Sequence, residues 1–239
     1  MGSRFHKRRL QPELMDDPSL DVYEHRDALA GLRRINWLSR SDSAIWKAIH
    51  PLLFASTVQS PVTILDIASG GGDLAVRLAR RARAEGYHVR IMGCDISSTA
   101  IEFASEQVAR AGLSDVTFHQ CNVLTDPLPL PSFDVVMCSL FLHHLSEADG
   151  LKLLETMKCA AEKLVLVDDL RRSAAGYWLA WLGCRILTRC RVVHVDGPMS
   201  VEGALTPGEA RELAKRSGMK NVAIKNHWPQ RFLLSSRSE

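Results

Sequence analysis

The sequence predicts an α/β fold in which a doubly wound, mostly parallel sheet is covered by helices on both faces. Short β-branched apolar runs alternate along the chain with segments whose apolar residues recur at helical spacing. The first run, residues 62–67, is followed by the three glycines Gly70–Gly72, and the second, residues 88–94, directly by Asp95. Ligands bind over the carboxyl ends of the strands in such sheets, so glycines and acids there predict a binding site.

The remaining elements follow from the same periodicities. Strands are expected over residues 62–67, 88–94, 116–119, 133–139, 163–167, 221–226 and 231–235. Helices are expected over residues 73–84, 99–111, 146–161 and 206–217. Thr99 and Glu102 have the spacing of a capping box, and Gly112 and Gly218 are typical of helix ends.

Two further helical regions are expected outside the alternating core. Residues 1–50 are predicted to form a helical N-terminal cap or lid, and residues 51–239 the main domain. A cap is predicted within that domain at about 171–205, because a connection of this length usually carries structure of its own. Trp178 and Trp181 lie three residues apart and predict a helix over the site, whereas residues 194–200 suggest a returning loop that could bring His194 or Ser200 into the pocket.

Composition restricts the class of protein. The chain has 239 residues, 46% of them hydrophobic and 24% charged, which is typical of a globular protein, and its net charge of +3 is too small to indicate a nucleic-acid partner. The basic residues near the start, Arg4, Lys7, Arg8 and Arg9, suggest a solvated arm.

No targeting or membrane-spanning segment is evident either. The start of the chain lacks the apolar region of a signal peptide, and the longest apolar stretch, residues 174–187, is shorter than the ~20 residues of a membrane span. The six cysteines lack metal-ligand spacing and are expected to be reduced. We therefore expect a cytoplasmic protein with no membrane span, and a homodimer is left open.

The charge of the glycine turn indicates the cofactor. A dinucleotide fingerprint would place its second and third glycines on Gly70 and Asp73, and an aspartate there would repel a pyrophosphate. S-adenosylmethionine carries a sulfonium and an ammonium and no phosphate, so it suits nearby carboxylates such as Asp66 and Asp73. The predicted cofactor is S-adenosylmethionine, with S-adenosylhomocysteine as product.

Four motifs in order over residues 62–145 resemble the class I S-adenosylmethionine-dependent methyltransferases. The family's acid followed by G-x-G-x-G falls on residues 66–72, with alanine in place of one glycine. The resemblance implies a Rossmann-like fold with seven strands, the last two antiparallel. It also implies that Asp95 binds the ribose hydroxyls, that Ile96 packs on adenine and that Asn122 faces the adenine amino group. The implied cofactor-binding residues are Asp66, Ala68, Ser69, Gly70, Gly72, Asp95, Ile96, Asn122, Val123, Cys138 and Ser139.

His143 and His144 follow the fourth strand, beside the predicted sulfonium, and are the catalytic candidates. One of them could act as a general base or orient the acceptor; alternatively, both are structural wall residues. A related quinone O-methyltransferase group has E-x-x-E-H here and uses it to bind a metal. Its positions are Leu140, His143 and His144 in this chain, so the carboxylates are missing and we expect metal independence and no metal site.

The outer segments resemble a bacterial group of polyketide- or phenol-directed methyltransferases. The resemblance is carried by residues 12–18, by Tyr23 and His25, and by Asp-Gly-x-x-Ser at 196–200. It implies a lid closed by Tyr23 or His25, and a hydrophobic aromatic acceptor. The proposed substrate and lid residues are Tyr23, His25, Asp168, Arg171, Trp178 and Trp181; a solvated, salt-bridged loop is the alternative for Asp168 and Arg171.

The function expected is metal-independent O-methylation of a small phenolic or polyketide-like compound, of the kind met in secondary metabolism. C-methylation of a quinone or lipid precursor is the nearest alternative. There are two further alternatives. One is an RNA or protein methyltransferase recruited through the basic arm, and the other is a module that binds S-adenosylmethionine without turnover. The apolar cap argues against both, because a macromolecule would have to displace it.

Overall fold

The computed structural model describes residues 5–17 and 19–237. Its strands are β1 (Val62–Ile67), β2 (Val89–Asp95), β3 (Val116–Gln120), β4 (Phe133–Ser139), β5 (Ala161–Leu170), β6 (Ala223–His227) and β7 (Arg231–Arg237). They form a seven-stranded sheet in the order β3-β2-β1-β4-β5-β7-β6. The strands β1 to β5 are parallel, and β7 pairs antiparallel with both β5 and β6. This confirms the doubly wound, mostly parallel sheet, whose order reverses between β1 and β4.

Eight α-helices surround the sheet within the described residues: α1 (Val22–Ser39), α2 (Ser41–Leu53), α3 (Asp73–Ala84), α4 (Ser98–Ala111), α5 (Glu147–Ala160), α6 (Ala174–Leu187), α7 (Arg191–Gly203) and α8 (Pro207–Arg216). Two short 3₁₀ turns complete the structure. We call Leu14–Asp16 the arm turn and Leu142–His144 the histidine turn. Both lie in segments that the sequence analysis singled out.

The helix ends follow local hydrogen-bonding chemistry, with one difference from expectation. Ser97, and not Thr99, caps α4: its backbone is extended and its hydroxyl accepts the Ala100 N–H at 3.2 Å. Ser146 caps α5 as predicted. Thr206 and Glu209 form a reciprocal capping box at the start of α8, and Pro207 is the first helical residue.

The segment predicted as a returning loop is instead the helix α7. Gly197 and Pro198 disfavour a helix when considered locally, but packing against α6 outweighs them. Pro198 is buried in this packing, and a Cβ at position 197 would overlap the Cys184 sulfur of α6. Glycine is therefore the residue that allows the two helices to approach.

The core lies on both faces of the central strands. On one face α2 and α3 pack on the sheet through fully buried aliphatic side chains, among them Ile45, Ile49 and Leu78. On the other face α5 and α8 pack through Leu153, Met157 and Leu213. Thus α2 crosses the predicted cap boundary at residue 50 and belongs to the main core, whereas α1 contacts α4, α6 and α7.

The basic arm is solvated only in part: the side chains of Lys7 and Arg9 are exposed, whereas that of Arg8 packs on the protein. Arg8 donates from Nη2 to the His143 carbonyl at 3.0 Å and from Nε to the Gly203 carbonyl at 2.5 Å. The Arg9 N–H donates to the Glu202 carbonyl at 3.0 Å. Arg4 lies outside the described residues. These long-range backbone acceptors explain why an arm that looks solvated in sequence is bound against α7 and the histidine turn.

The six cysteines are free, and Cys94, Cys121, Cys138 and Cys184 are buried. Among the described residues no helix combines the length and the apolar character needed to cross a bilayer.

Candidate cofactor and acceptor site

The loop after β1 has a backbone that glycine favours. Ala68, Gly70 and Gly72 have φ values of +53°, +51° and +72°. These lie in the left-handed region, which glycine adopts freely and other residues adopt at an energetic cost. A Cβ on Gly72 would lie 2.5 Å from Phe118 Cζ and 2.8 Å from Ala104 Cβ, so this glycine permits close packing. A Cβ on Gly70 would meet no atom within 4 Å, so this part of the loop borders open space.

Asp95, at the end of β2, is bound to that loop. Its Oδ2 accepts the Gly70 N–H at 2.8 Å and its Oδ1 accepts the Ser97 N–H at 2.9 Å. Each carboxylate oxygen keeps further acceptor capacity for a hydroxyl donor. The next residue, Ile96, is 64% exposed, which is unusual for an isoleucine and suits contact with a flat apolar ring. These features fit the ribose and adenine of a nucleoside.

Three carboxyl groups are concentrated beside the loop. Burial, together with the nearby carboxyls of Asp73 and Asp95, raises the pKa of Asp66 to about 8. Burial also raises the pKa of Asp73, although Arg77 lies 3.2 Å away, and that of Asp95. Asp66 Oδ2 and Ser69 Oγ are buried without a hydrogen-bond partner among the described residues. Such a site favours a cationic ligand with donor groups, so it fits the sulfonium and ammonium of S-adenosylmethionine.

The other predicted cofactor residues lie at the same edge of the sheet, but their side chains are engaged elsewhere. The Asn122 Oδ1 accepts the Leu124 N–H at 3.1 Å, and Val123 is buried in the core. Cys138 is fully buried, and the Ser139 hydroxyl donates to Asp168 Oδ2 at 3.2 Å. Contact between these residues and the cofactor stays a prediction.

His143 is held between two carboxylates. Its Nδ1 lies 2.6 Å from Asp169 Oδ1, its backbone N–H donates to Asp169 Oδ2 at 3.0 Å, and its Nε2 lies 3.6 Å from Glu13 Oε1. Burial alone would lower the pKa of His143, but the carboxylates of Asp169 and Glu13 raise it to about 10. A histidine held in this way is a poor base at neutral pH.

His144 has the corresponding arrangement in a more open position. Its Nδ1 lies 2.8 Å from Asp16 Oδ2 and its Nε2 lies 3.8 Å from Glu13 Oε2. Its side chain is 20% exposed, compared with 3% for His143. The His144 side chain is therefore the more accessible of the two to an organic ligand.

The sequence analysis missed Glu13 and Asp16 as partners of the histidines, although it singled out the segment that contains them. The arm turn is held in place by α7: Asp196 Oδ1 accepts the Leu14 N–H at 2.9 Å and Asp196 Oδ2 the Met15 N–H at 3.0 Å. The Ser200 hydroxyl donates to Glu13 Oε1 at 2.5 Å. Asp-Gly-x-x-Ser thus supports the arm, whereas the side chain of His194 is directed to the Thr188 carbonyl.

Asp168 differs from both interpretations made of it, since it is neither in a solvated loop nor exposed to an acceptor. It is fully buried in β5, with His227 Nε2 at 2.5 Å and Arg231 Nη1 at 3.0 Å. Arg171 donates to the Gln230 side chain at 2.5 Å. Both residues connect β5 to the last strand pair, because β7 lies directly beside β5.

The predicted lid residues lie on α1 and α6. Tyr23 is 81% exposed and faces solvent, whereas His25 is partly buried, and its pKa is lowered by burial against the opposing charges of Asp95 and Asp16. Trp178 and Trp181 are 54% and 36% exposed. Of the four, His25 is the one that the structure brings beside the cofactor residues.

Comparison with known proteins agrees with the cofactor site. A family model described as "Methyltransferase domain" matches residues 64–162. The chain is 32% identical over 113 residues to the 2-phytyl-1,4-naphtoquinone methyltransferase of Nostoc punctiforme, covering 47% of each chain. It is 35% identical over 88 residues to a ubiquinone/menaquinone biosynthesis C-methyltransferase of Xanthomonas oryzae pv. oryzae, covering 36% of this chain and 34% of the relative. The alignments thus span less than half the length of these curated relatives.

The fold is likewise similar to that of a methyltransferase of known structure. A SAM-dependent methyltransferase from Aquifex aeolicus superposes with a TM-score of 0.64 at 18% identity, covering 92% of this chain and 99% of that structure. At this identity the superposition shows the fold. Residues 64–162 thus match a methyltransferase domain, and the chain has the Rossmann-like fold of the class I S-adenosylmethionine-dependent methyltransferases.

Proposed function

We propose that the protein transfers the methyl group of S-adenosylmethionine to a small, largely apolar acceptor, and that the acceptor atom is an oxygen of a phenolic or polyketide-like compound. The assignment of the methyl donor rests on one observation. The carboxyl groups of Asp66, Asp73 and Asp95 lie together around a glycine loop that borders open space. When bound, the cofactor would supply a methyl carbon on a sulfonium; an in-line acceptor atom would bond to that carbon as its bond to sulfur breaks and S-adenosylhomocysteine leaves.

The chain's own residues would contribute positioning. Asp95 would bind the ribose hydroxyls while it holds the loop through the Gly70 N–H, so nucleoside and loop share one anchor. Ile96 would cover the adenine. Holding donor and acceptor collinear, in a site that excludes water, accounts for much of the acceleration that such a transfer requires.

The acceptor would lie beside His144. The histidine turn follows β4 directly, and β4 is the neighbour of β1 in the sheet, so the turn lies at the same edge as the glycine loop. The side chain of His143 is almost wholly buried between Asp169 and Glu13, whereas that of His144 is partly exposed. His144 would therefore orient the acceptor, and His143 would hold the turn.

A small apolar acceptor is supported by exposed aromatic residues on α6 and α1. Trp178 and Trp181 have exposed rings on α6, which packs against α1, the helix of Tyr23 and His25. We propose that these four side chains cover the acceptor when it binds. Of the basic residues of the arm, Arg8 is bound to backbone carbonyls and does not face a macromolecular partner.

C-methylation of a quinone-like ring is the second candidate. It is favoured by the names of the two relatives: both are methyltransferases named for quinones, and the one from Xanthomonas oryzae pv. oryzae is a C-methyltransferase. The acceptor rings in the two cases are similar, and the candidates differ in whether oxygen or ring carbon receives the methyl group.

Product analysis separates these candidates. The purified full chain would be incubated with S-adenosylmethionine labelled with ¹³C in the methyl group and a panel of phenols, hydroxyquinones and polyketide-like aromatics. We expect a labelled methoxy carbon in the product spectrum, and a labelled methyl on ring carbon would favour the second candidate. Cofactor binding without turnover on any acceptor, or turnover only on RNA or protein, would contradict small-molecule methylation.

A further inference from the structure

Glu13, His143 and His144 converge on one point, although the arm supplies one of them and the histidine turn the other two. Their ligand atoms all lie within 4.8 Å of one another. The Glu13 carboxylate lies 3.6 Å from His143 Nε2 and 3.8 Å from His144 Nε2. We propose that these three side chains form a binding site for one divalent transition-metal ion, of which Zn²⁺ is the representative.

The spacing fits such an ion. Zn²⁺ binds histidine nitrogen and carboxylate oxygen at about 2.0–2.2 Å in tetrahedral geometry, which places neighbouring ligand atoms about 3.3–3.5 Å apart. The two carboxylate–histidine distances exceed this by only a few tenths of an ångström. Small side-chain movements would close the site around an ion.

The orientation of the histidines fits as well. Both rings have Nδ1 beside a carboxylate, Asp169 for His143 and Asp16 for His144, at 2.6 and 2.8 Å. Both therefore present Nε2 to Glu13. A carboxylate that accepts from the ring nitrogen remote from the metal is the usual outer support of a metal-binding histidine, because it selects the tautomer and fixes the ring.

The third ligand is held in place independently. The Ser200 hydroxyl donates to Glu13 Oε1 at 2.5 Å, and Asp196 accepts the backbone N–H groups of the two residues that follow Glu13. Arg8 binds the carbonyl of His143 from the other side. The arm is thus held over the histidine turn by Ser200, Asp196 and Arg8. The Ser200 hydroxyl uses Oε1, the oxygen that faces His143, and none of these contacts uses Oε2, the oxygen that faces His144.

The local charge also favours a cation. Three carboxylates, from Glu13, Asp16 and Asp169, lie beside the two histidines, and a fourth, from Asp196, binds the backbone of the arm turn. An ion at the site would reduce repulsion among these carboxylates, which a neutral ligand could not do.

The ligand set indicates the chemical class. Two imidazole nitrogens favour a borderline ion such as Zn²⁺ over Mg²⁺, which prefers oxygen ligands. Three protein ligands leave a position open for water or substrate, as in catalytic metal sites. The partly exposed face of His144 is the side on which we place the acceptor. The expectation of metal independence rested on the missing carboxylates at 140 and 143; in the proposed site Glu13 supplies the single carboxylate ligand and His143 is itself a ligand.

Metal binding can be measured without any assay of turnover. The full chain would be stripped with a chelator, dialysed, and titrated calorimetrically with Zn²⁺, with Co²⁺ absorption as an independent report of coordination. We expect one Zn²⁺ per chain. Glu13→Gln and His144→Ala should each weaken binding at least 100-fold, and Asp16→Asn about 10-fold to 100-fold. The matched control is His119→Ala, which removes an exposed histidine on β3.

Several results would overturn the site. These are no stoichiometric Zn²⁺ in the wild-type protein, unchanged affinity in Glu13→Gln and His144→Ala, or an equal loss in His119→Ala. Circular dichroism of each variant would exclude unfolding as the cause. If the metal site fails these tests but the stripped protein still turns over an acceptor, the proposed function stands. Stoichiometric metal binding without turnover on the acceptor panel would contradict the proposed function and not the metal site.

Discussion

The Gly70 N–H donates to Asp95 Oδ2 across 2.8 Å, so the glycine loop after β1 and the acid after β2 form one unit. This bond gives Asp95 two roles, because the carboxylate that suits the ribose hydroxyls also fixes the loop that faces the rest of the cofactor. Removing it should therefore affect binding beyond the loss of a single contact.

Asp95→Ala should weaken binding of S-adenosylhomocysteine by about 100-fold or more, since hydrogen bonds to a charged acceptor contribute roughly 1.5–3 kcal/mol each. Isothermal titration calorimetry would measure this. Asp115→Ala removes an aspartate whose contact is a surface ion pair with Arg83 and should leave affinity unchanged. Wild-type affinity in Asp95→Ala would contradict the ribose assignment.

Cofactor binding should depend on pH through Asp66. Burial and the neighbouring carboxyls raise the pKa of Asp66 to about 8, so the group is largely protonated at neutral pH in the free protein. A cationic ligand favours the carboxylate and releases the proton, so affinity for S-adenosylmethionine should rise from about pH 6 to about pH 7.5, by at most about tenfold per unit.

Calorimetry in buffers of different ionisation enthalpy would count the released protons. Asp66→Asn provides the comparison, because ionisation of the ligand itself contributes equally to both proteins. We expect the variant to release fewer protons and to have the flatter pH profile. Identical proton release in the two proteins would show that Asp66 does not sense the bound cation.

Gly72→Ala should destabilise the fold more than the same change at another left-handed glycine. The new Cβ would lie 2.5 Å from Phe118 Cζ at a φ of +72°, so strain and overlap combine to about 3 kcal/mol or more. Gly86→Ala has a φ of +78° and open space around it, so it isolates the backbone cost of about 1–2 kcal/mol. Urea unfolding would compare the two, and equal losses would mean that the loop can move away from Phe118.

Arg8→Ala should loosen the arm and lower turnover while leaving cofactor affinity within about twofold. Arg8 bonds to the carbonyls of Leu142, His143 and Gly203, and losing these bonds should cost about 1–3 kcal/mol of unfolding free energy. Lys7→Ala removes a neighbouring exposed charge and should change neither quantity. If Lys7→Ala has the same effect on turnover as Arg8→Ala, the arm acts through its charge and not through its docking.

Local patterns explain which parts of this structure were predictable. The sheet follows from β-branched runs and glycine turns, and α3 and the caps at Ser146 and Thr206 follow from side-chain chemistry within a few residues. The α7 helix was missed because its Gly197 and Pro198 are tolerated only through packing against α6.

The same distinction holds for the site. Asp95 and the glycine loop are recognisable because they follow adjacent strands. The approach of Glu13 to His143 and His144 was not predictable, because about 130 residues separate them and no local periodicity relates them. The sequence contains an acidic segment at residues 12–18. The residues that this segment contacts are distant in sequence and become evident only in the folded chain.

His144→Ala should separate chemistry from cofactor binding. The ring lies at the sheet edge that holds the glycine loop, its Nε2 faces Glu13, and its side chain is the more exposed of the two histidines. Its loss should lower turnover on the order of 100-fold, whether it orients the acceptor directly or through a bound ion. Affinity for S-adenosylhomocysteine should stay within about twofold, because Asp66 and Asp95 are unchanged. Single-turnover rates and calorimetry on the same preparations would test both statements, with His119→Ala as the control. Unchanged turnover would make His144 a wall residue, and a parallel loss of cofactor affinity would mean that the histidine turn belongs to the cofactor site.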